Sequence, residues 1–229
     1  MAILLTIQQK IPQMTMLKTE LLAPAGSLEV IYPAVRMGAN AVYLGADIFS
    51  ARGNAGNFNR EQLLEAVKYC HARNVAVHLA CNTLIHDDEM ESALNLIKYA
   101  CEIGIDAIII QDIGLVSLIR KAAPNMTLHA STQMSVHTAE AAKMLYDMGF
   151  ERVVLARELS KTEIKEIADK LKSMNCPIEL EVFVHGALCM SVSGQCYMSA
   201  MLGGRSGNRG LCAQPCRLPF NAGGNGHDL

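Results

Sequence analysis

Residues 152–171 read RVVLARELSKTEIKEIADKL, and this stretch decides the fold class. Its first part, RVVLARE (152–158), holds a nearly continuous apolar run, as in a strand covered on both faces. Its second part places Ile164, Ile167, Ala168 and Leu171 at helical spacing. Between them Ser160 precedes Glu163 by three residues, the spelling of a capping box, so a helix starts at Lys161. The unit is therefore a strand, a polar turn and an amphipathic helix.

The same unit recurs along the chain in both directions. Short apolar runs stand at ELLAPAG (20–26), AVYLGA (41–46), VAVHLAC (75–81), AIIIQD (107–112), TLHASTQ (127–133) and IELEVFVHG (178–186). Helical faces follow at Leu63, Leu64, Val67 and Cys70, and at Met90, Ala93, Leu94, Ile97 and Cys101. Asn59 and Gln62 repeat the capping spelling, and Gly38, Gly104 and Gly149 stand where helices should end. Seven strand–helix alternations with no strand-only region predict an α/β fold with a parallel sheet. An open doubly wound sheet would carry a Gly-rich phosphate turn after its first strand, but the turn here is APAGS, not GxGxxG. The preferred reading is a TIM-barrel-like (β/α) domain with seven βα units, the closing eighth strand being absent. Residues 1–18 read as a disordered or non-native extension, with Met14 or Met16 as an alternative start. Residues 19–187 read as the barrel-type catalytic domain and 188–229 as a Cys-rich segment and tail.

Composition narrows the function classes. Of 229 residues, 51% are hydrophobic and 18% charged, which excludes a disordered chain. A net charge of −2 excludes a wholesale basic nucleic-acid binder, and the absence of Trp argues against a broad base-stacking platform. No run approaches the ~18 apolar residues of a membrane span, and no signal peptide is legible, so a cytoplasmic protein without a membrane partner is expected. Charge is uneven, however. From Gly186 onward the charged residues are Arg205, Arg209, Arg217 and Asp228, making the Cys-rich end the one positive region.

In a barrel, chemistry gathers where strands end and loops begin. That rule selects Gly26 and Ser27, then Asp47, Arg52 and Asn57, then Asn82, Gln111, Asp112, Ser131, Gln133, Arg157 and Glu158. Ser27 and Asp112 read equally as helix caps. Arg157 ends an apolar strand, where an unpaired guanidinium is costly, so it is expected to face an anion. On the last strand Glu179, Glu181, Phe183 and His185 alternate onto one face. Glu181 and His185 are thus a candidate acid–base pair, with a structural Glu–His or Glu–Arg contact as the alternative. His78 and His129, each mid-strand, read as structural. Candidate catalytic residues are Gln133, Arg157, Glu181 and His185. Candidate cofactor-binding residues are Arg52, Asn57, Asn82, Gln111 and Arg205.

Cys189, Cys196, Cys212 and Cys216 fall within 28 residues in the pattern C-x6-C-x15-C-x3-C. With no export signal, such a cluster points to metal or redox work rather than disulfides. Zinc sites usually show two tight pairs, and only the last pair is tight here; iron–sulfur clusters accept wider spacing. Iron–sulfur is the first reading, zinc the second and redox thiols the third. Gly194, Gly203, Gly204, Gly207 and Gly210 would let backbone amides approach cluster sulfurs, and Arg205 and Arg209 would offset negative charge. Cys70, Cys101 and Cys176 read as small buried hydrophobes.

The stretch Glu181-Val-Phe-Val-His-Gly-Ala-Leu-Cys189, followed after four residues by Gly194-Gln-Cys196-Tyr-Met198-Ser199, resembles the signature of the collagenase-like peptidases, family thirty-two of the U peptidases. LLAPAGS (21–27), AVYLGA (41–46), QDIGL (111–115), STQM (131–134) and the Arg52–Phe58 loop are similar to that family too. The resemblance implies relatives that hydroxylate a tRNA wobble uridine or a ribosomal RNA cytidine, or that serve oxygen-independent ubiquinone synthesis. It implies a four-iron four-sulfur cluster and prephenate, a small dicarboxylate, as a required metabolite. It further implies cluster ligation by Cys189, Cys196 and Cys212. The relatives' fourth ligand lies downstream, leaving Cys216 as a substitute ligand or a neighbour. RNA (tRNA or rRNA) is then the expected partner, in a homo- or hetero-oligomer. A peptidase using Cys189 with His185, or a metal, is the second hypothesis; neither HExxH nor GxSxG is present. A non-catalytic cluster-holding subunit is the third.

Overall fold

The computed structural model describes residues 3–7, 19–51, 53, 56–186 and 189–219. Among these residues the strands are β1 (Ile3–Ile7), β2 (Glu20–Pro24), β3 (Ala41–Gly45), β4 (Ala76–Cys81), β5 (Ala107–Ile110), β6 (Leu128–Ala130), β7 (Arg152–Val154) and β8 (Glu179–His185). The helices are α1 (Leu28–Arg36), α2 (Arg60–His71), α3 (Met90–Ile103), α4 (Ile113–Ala122), α5 (Ala139–Asp147), α6 (Lys161–Ser173) and α7 (Met198–Gly203). Each of the seven apolar runs is a strand, and β2 to β8 pair in parallel in chain order. None of the helices is long and apolar enough to cross a membrane, among the described residues.

The ring is closed, with β1 pairing antiparallel to both β2 and β8. This corrects two expectations. Residues 3–7 are a strand rather than part of a disordered extension, and the gap left by an eighth parallel strand is filled rather than open. The physical reason is edge pairing: β2 and β8 each present unpaired N–H and C=O groups, and a short apolar strand satisfies both rows. Leu4, paired with Leu22 and Phe183, is buried in the small inner cluster with Leu22, Ala41 and Val154. The larger core lies on the opposite sheet face, where Val42, Leu44, Ile108 and Leu180 meet the helices.

Local signals act as the sequence spells them. Asn59 accepts from the Gln62 N–H at 2.9 Å and Ser160 from the Glu163 N–H at 3.3 Å, each answered by a return bond from the cap N–H. Asp112 caps α4 through the Leu115 N–H at 2.9 Å, whereas Ser27 makes no side-chain cap bond. Gly104 ends α3 at φ +85°, in the left-handed region.

The N-terminal ends of the strands are tied by one buried arginine. Arg152 donates to Glu20 at 2.7 Å, to Glu179 at 2.7 Å and to Glu181 at 3.2 Å. Glu181 is 1% exposed. The structure therefore gives Glu181 the structural Glu–Arg contact and does not bring it to His185. The two stand four residues apart on one strand, roughly 13 Å along its axis, and His185 is exposed at the far end. His78 and His129 pack edge-to-face beside this network at 4.8 Å between ring centres.

Candidate active site

At the opposite end of the barrel, residues 189–219 fold back across the strand ends. Four loops hold this segment down. After β7, Glu158 accepts from the Ser193 N–H at 2.8 Å and from its hydroxyl at 3.2 Å, and Arg157 Nε donates to Ser193 Oγ at 3.3 Å. After β6, Ser135 donates to the Ser193 carbonyl, and Gly194 lies so close to Gln133 that a Cβ would overlap its carbonyl oxygen. After β4, Arg209 donates to Glu89 at 2.8 Å and to the Leu84 carbonyl at 2.7 Å. After β3, a Cβ on Gly53 would fall 2.7 Å from the Gly210 carbonyl oxygen. Gly194 and Gly210 have φ of +73° and +77°, so these close approaches need glycine twice over.

Electrostatics hold the clamp closed. Burial alone would raise the Glu158 carboxyl, but hydrogen bonds from backbone N–H groups and the Ser193 hydroxyl, with His137 beside it at 3.5 Å, leave it below its usual value. The Arg209 guanidinium pulls the Glu89 carboxyl down to about 2. Both carboxylates are ionised at neutral pH, so the bonds they accept are charge-assisted.

Between segment and barrel lies a cavity of about 480 Å³ lined by Gln133, Arg157 and all four late cysteines. Cys189 and Cys216 are exposed, Cys196 and Cys212 half-buried, and none of the four is in a disulfide. The Gln214 N–H donates to Cys212 Sγ at 3.4 Å. Cys81, by contrast, is fully buried, and burial pushes its thiol up to about 12, which makes it inert. Among the described residues no three His, Cys, Asp or Glu are grouped as ligands of one metal ion. Four cysteine sulfurs lining one cavity are a soft donor set of the kind that both iron–sulfur clusters and zinc take.

The remaining expected residues divide. Asn82 lies at the mouth, but both ends of its amide tie loops together, through the Ala51 N–H at 2.9 Å and Ser131 Oγ at 3.4 Å. Asn57, Gln111 and Gln133 each keep a buried amide oxygen without a hydrogen-bond partner. Arg205 is exposed and donates to the Leu211 carbonyl at 3.1 Å. Arg52 lies outside the described residues. No hydrogen bond joins His185 to Cys189, among the described residues. Sequence reasoning missed Ser193, Ser135, His137 and Glu89 as site-building residues. Their partners lie up to 120 residues away, and a lone Ser or His carries no spacing signal.

Residues 26–228 match the family described as Peptidase family U32. The chain belongs to peptidase family U32. This U32 chain is 43% identical over 203 residues to the 23S rRNA 5-hydroxycytidine synthase of Escherichia coli (strain K12), covering 89% of the chain and 30% of that protein. It is 37% identical to tRNA hydroxylation protein P1 of Bacillus subtilis (strain 168), covering 89% of the chain and 47% of the relative. It is 36% identical to a collagenase of Porphyromonas gingivalis (strain ATCC BAA-308 / W83), covering 88% and 50%. The chain thus spans half or less of the length of these three relatives. A solved U32 peptidase superposes with a TM-score of 0.58 at 14% identity, covering 70% of this chain and 68% of the other, which supports the barrel fold.

Proposed function

We propose that this U32 chain is the barrel part of an RNA-hydroxylating enzyme, acting on a pyrimidine of tRNA or rRNA with an iron–sulfur cluster at the barrel mouth. The observation that carries this reading is the shared cavity. Four thiols separated by up to 27 positions in sequence line one space with Gln133 and Arg157. Relatives named for tRNA and rRNA hydroxylation support the RNA substrate.

In this reading Cys189, Cys196 and Cys212 hold iron, and Cys216 is the fourth thiolate. A bound cluster supplies redox chemistry that protein side chains lack. The other residues bind and position. Arg157 is held by Ser193 Oγ and lies with its guanidinium carbon 5.8 Å from the Phe183 ring centre, so its planar fork is aimed before any ligand arrives. It suits a carboxylate of a small dicarboxylate such as prephenate. Glu158 fixes Ser193 and Gly194, and through them the spacing of Cys189 and Cys196. The folded-back segment covers the mouth, which limits water around the reacting atoms. A cysteine peptidase reading has less support, because the thiol nearest His185 in sequence has no bond to it.

The test is nucleoside mass spectrometry of RNA from a strain lacking the gene. A hydroxylated pyrimidine should disappear, and return with the wild-type gene but not with Cys189→Ser. An unchanged nucleoside profile would refute the assignment.

A further inference from the structure

The cavity beneath the cysteine segment carries two groups that cluster ligation leaves unused. The first is the side chain of Gln133. Its amide oxygen is buried without a partner, although its backbone is fixed from both sides. The Gln133 N–H donates to Ser131 Oγ at 3.2 Å, and Gly194 sits against its carbonyl. A buried acceptor without a partner is costly, and a ligand entering the cavity that Gln133 lines can supply the missing donor. The second is Tyr197, which lines the same cavity while remaining 67% exposed. A large ring left open beside a cavity is a stacking face. The surrounding chain contains no carboxylate from Gly186 to His227 and three arginines, in a protein whose net charge is −2. A phosphate-bearing chain meets no repulsion from this segment.

We propose that this cavity admits a single unstacked pyrimidine of a single-stranded RNA segment, its face on Tyr197 and its Watson–Crick edge donating to Gln133 Oε1. This deepens the RNA reading above and rests on it. Uracil offers N3–H and cytosine its 4-amino group, so one acceptor serves either base. The cavity, about 480 Å³ and shared with the four cysteines, lies within the ~300–1,000 Å³ of small-ligand sites, and Tyr197 stands at its exposed side. Reaching it requires the base to leave its stack, as enzymes that act on bases generally demand. Stacking supplies affinity, and the amide supplies the requirement for a donor.

Three labelled oligoadenylates test this, each with one central nucleotide: uridine, N3-methyluridine or an abasic ribose. Affinities are measured by fluorescence anisotropy with the whole chain under reducing conditions. The wild-type protein should bind the uridine oligomer about tenfold more tightly than either of the others. Tyr197→Ala should bring the uridine-to-abasic ratio close to one. Gln133→Leu should abolish discrimination against N3-methyluridine while keeping the preference over the abasic site. Equal wild-type affinities for the three oligomers would overturn the base pocket while leaving RNA binding intact. Failure to bind any of them would overturn the RNA reading as well. The wild-type comparison needs no variant, so a misfolded substitution does not rescue the idea.

Discussion

Replacing Arg152 with methionine should cost this protein a large share of its stability and leave the cysteine cavity unchanged. Arg152 is 4% exposed and reaches three carboxylates, Glu20, Glu179 and Glu181, at 2.7, 2.7 and 3.2 Å. Glu20 and Glu179 are partly open to water and can regain hydration. Glu181 cannot, since it is 1% exposed between β7 and β1. Removing the cation takes the counter-charge from a buried carboxylate, which costs roughly 3–5 kcal/mol. Against a typical total of ~5–15 kcal/mol the loss is readily measured. Urea unfolding followed by circular dichroism at pH 7 supplies the value. The double variant Arg152→Met with Glu181→Gln should recover part of the loss, because the amide needs no counter-charge. Alkylation rates of Cys189 and Cys196 should match wild type in both, since the network lies at the opposite end of the strands. A single-variant loss below about 1 kcal/mol would refute the reasoning, because a pair worth so little behaves as an exposed one.

Three further outcomes follow from the same geometry. Burial, with Arg152 nearby, lowers the His78 imidazole from 6.5 to about 4, so the unfolded chain takes up its proton first; stability should be full above pH 6.5 and fall by about 3 kcal/mol down to pH 4, with a flatter urea-midpoint profile in His78→Gln. Gly194→Ala puts a side chain at φ +73° against the Gln133 carbonyl; at least ~1–2 kcal/mol of strain should loosen the segment, seen as faster alkylation of Cys196, and an unchanged rate would contradict the clamp. Leu4→Asp places a carboxylate in the inner cluster; a loss of about 3 kcal/mol or more is expected in urea unfolding, and a neutral result would mean that β1 does not close the ring.

The strand-and-helix order was legible because each unit repeats one pattern: a both-faces-apolar run such as AIII at 107–110, then an amphipathic helix behind a spelled cap. The N-terminal strand was not legible in the same way. Its pattern is as apolar as the others, but no helical spacing of apolar residues follows it in the sequence, and its partners are edges that exist only once β2 and β8 are in place. At the site, the four cysteines announced themselves by density in the sequence, and Gln133 and Arg157 by their place at strand ends. Glu181 illustrates the opposite case. Alternation correctly placed it on the inner face, yet its role depends on Arg152, 29 residues earlier on the neighbouring strand. Ser193 escaped for the same reason, since its partnership with Glu158 is a property of the folded mouth.

Iron and acid-labile sulfide per chain, counted after anaerobic reconstitution, test the central claim most directly. About four of each are expected, lost or sharply reduced in Cys189→Ser, Cys196→Ser and Cys212→Ser, with the fold intact by circular dichroism. Stoichiometric zinc without sulfide, or iron and sulfide retained in all three variants, would contradict it.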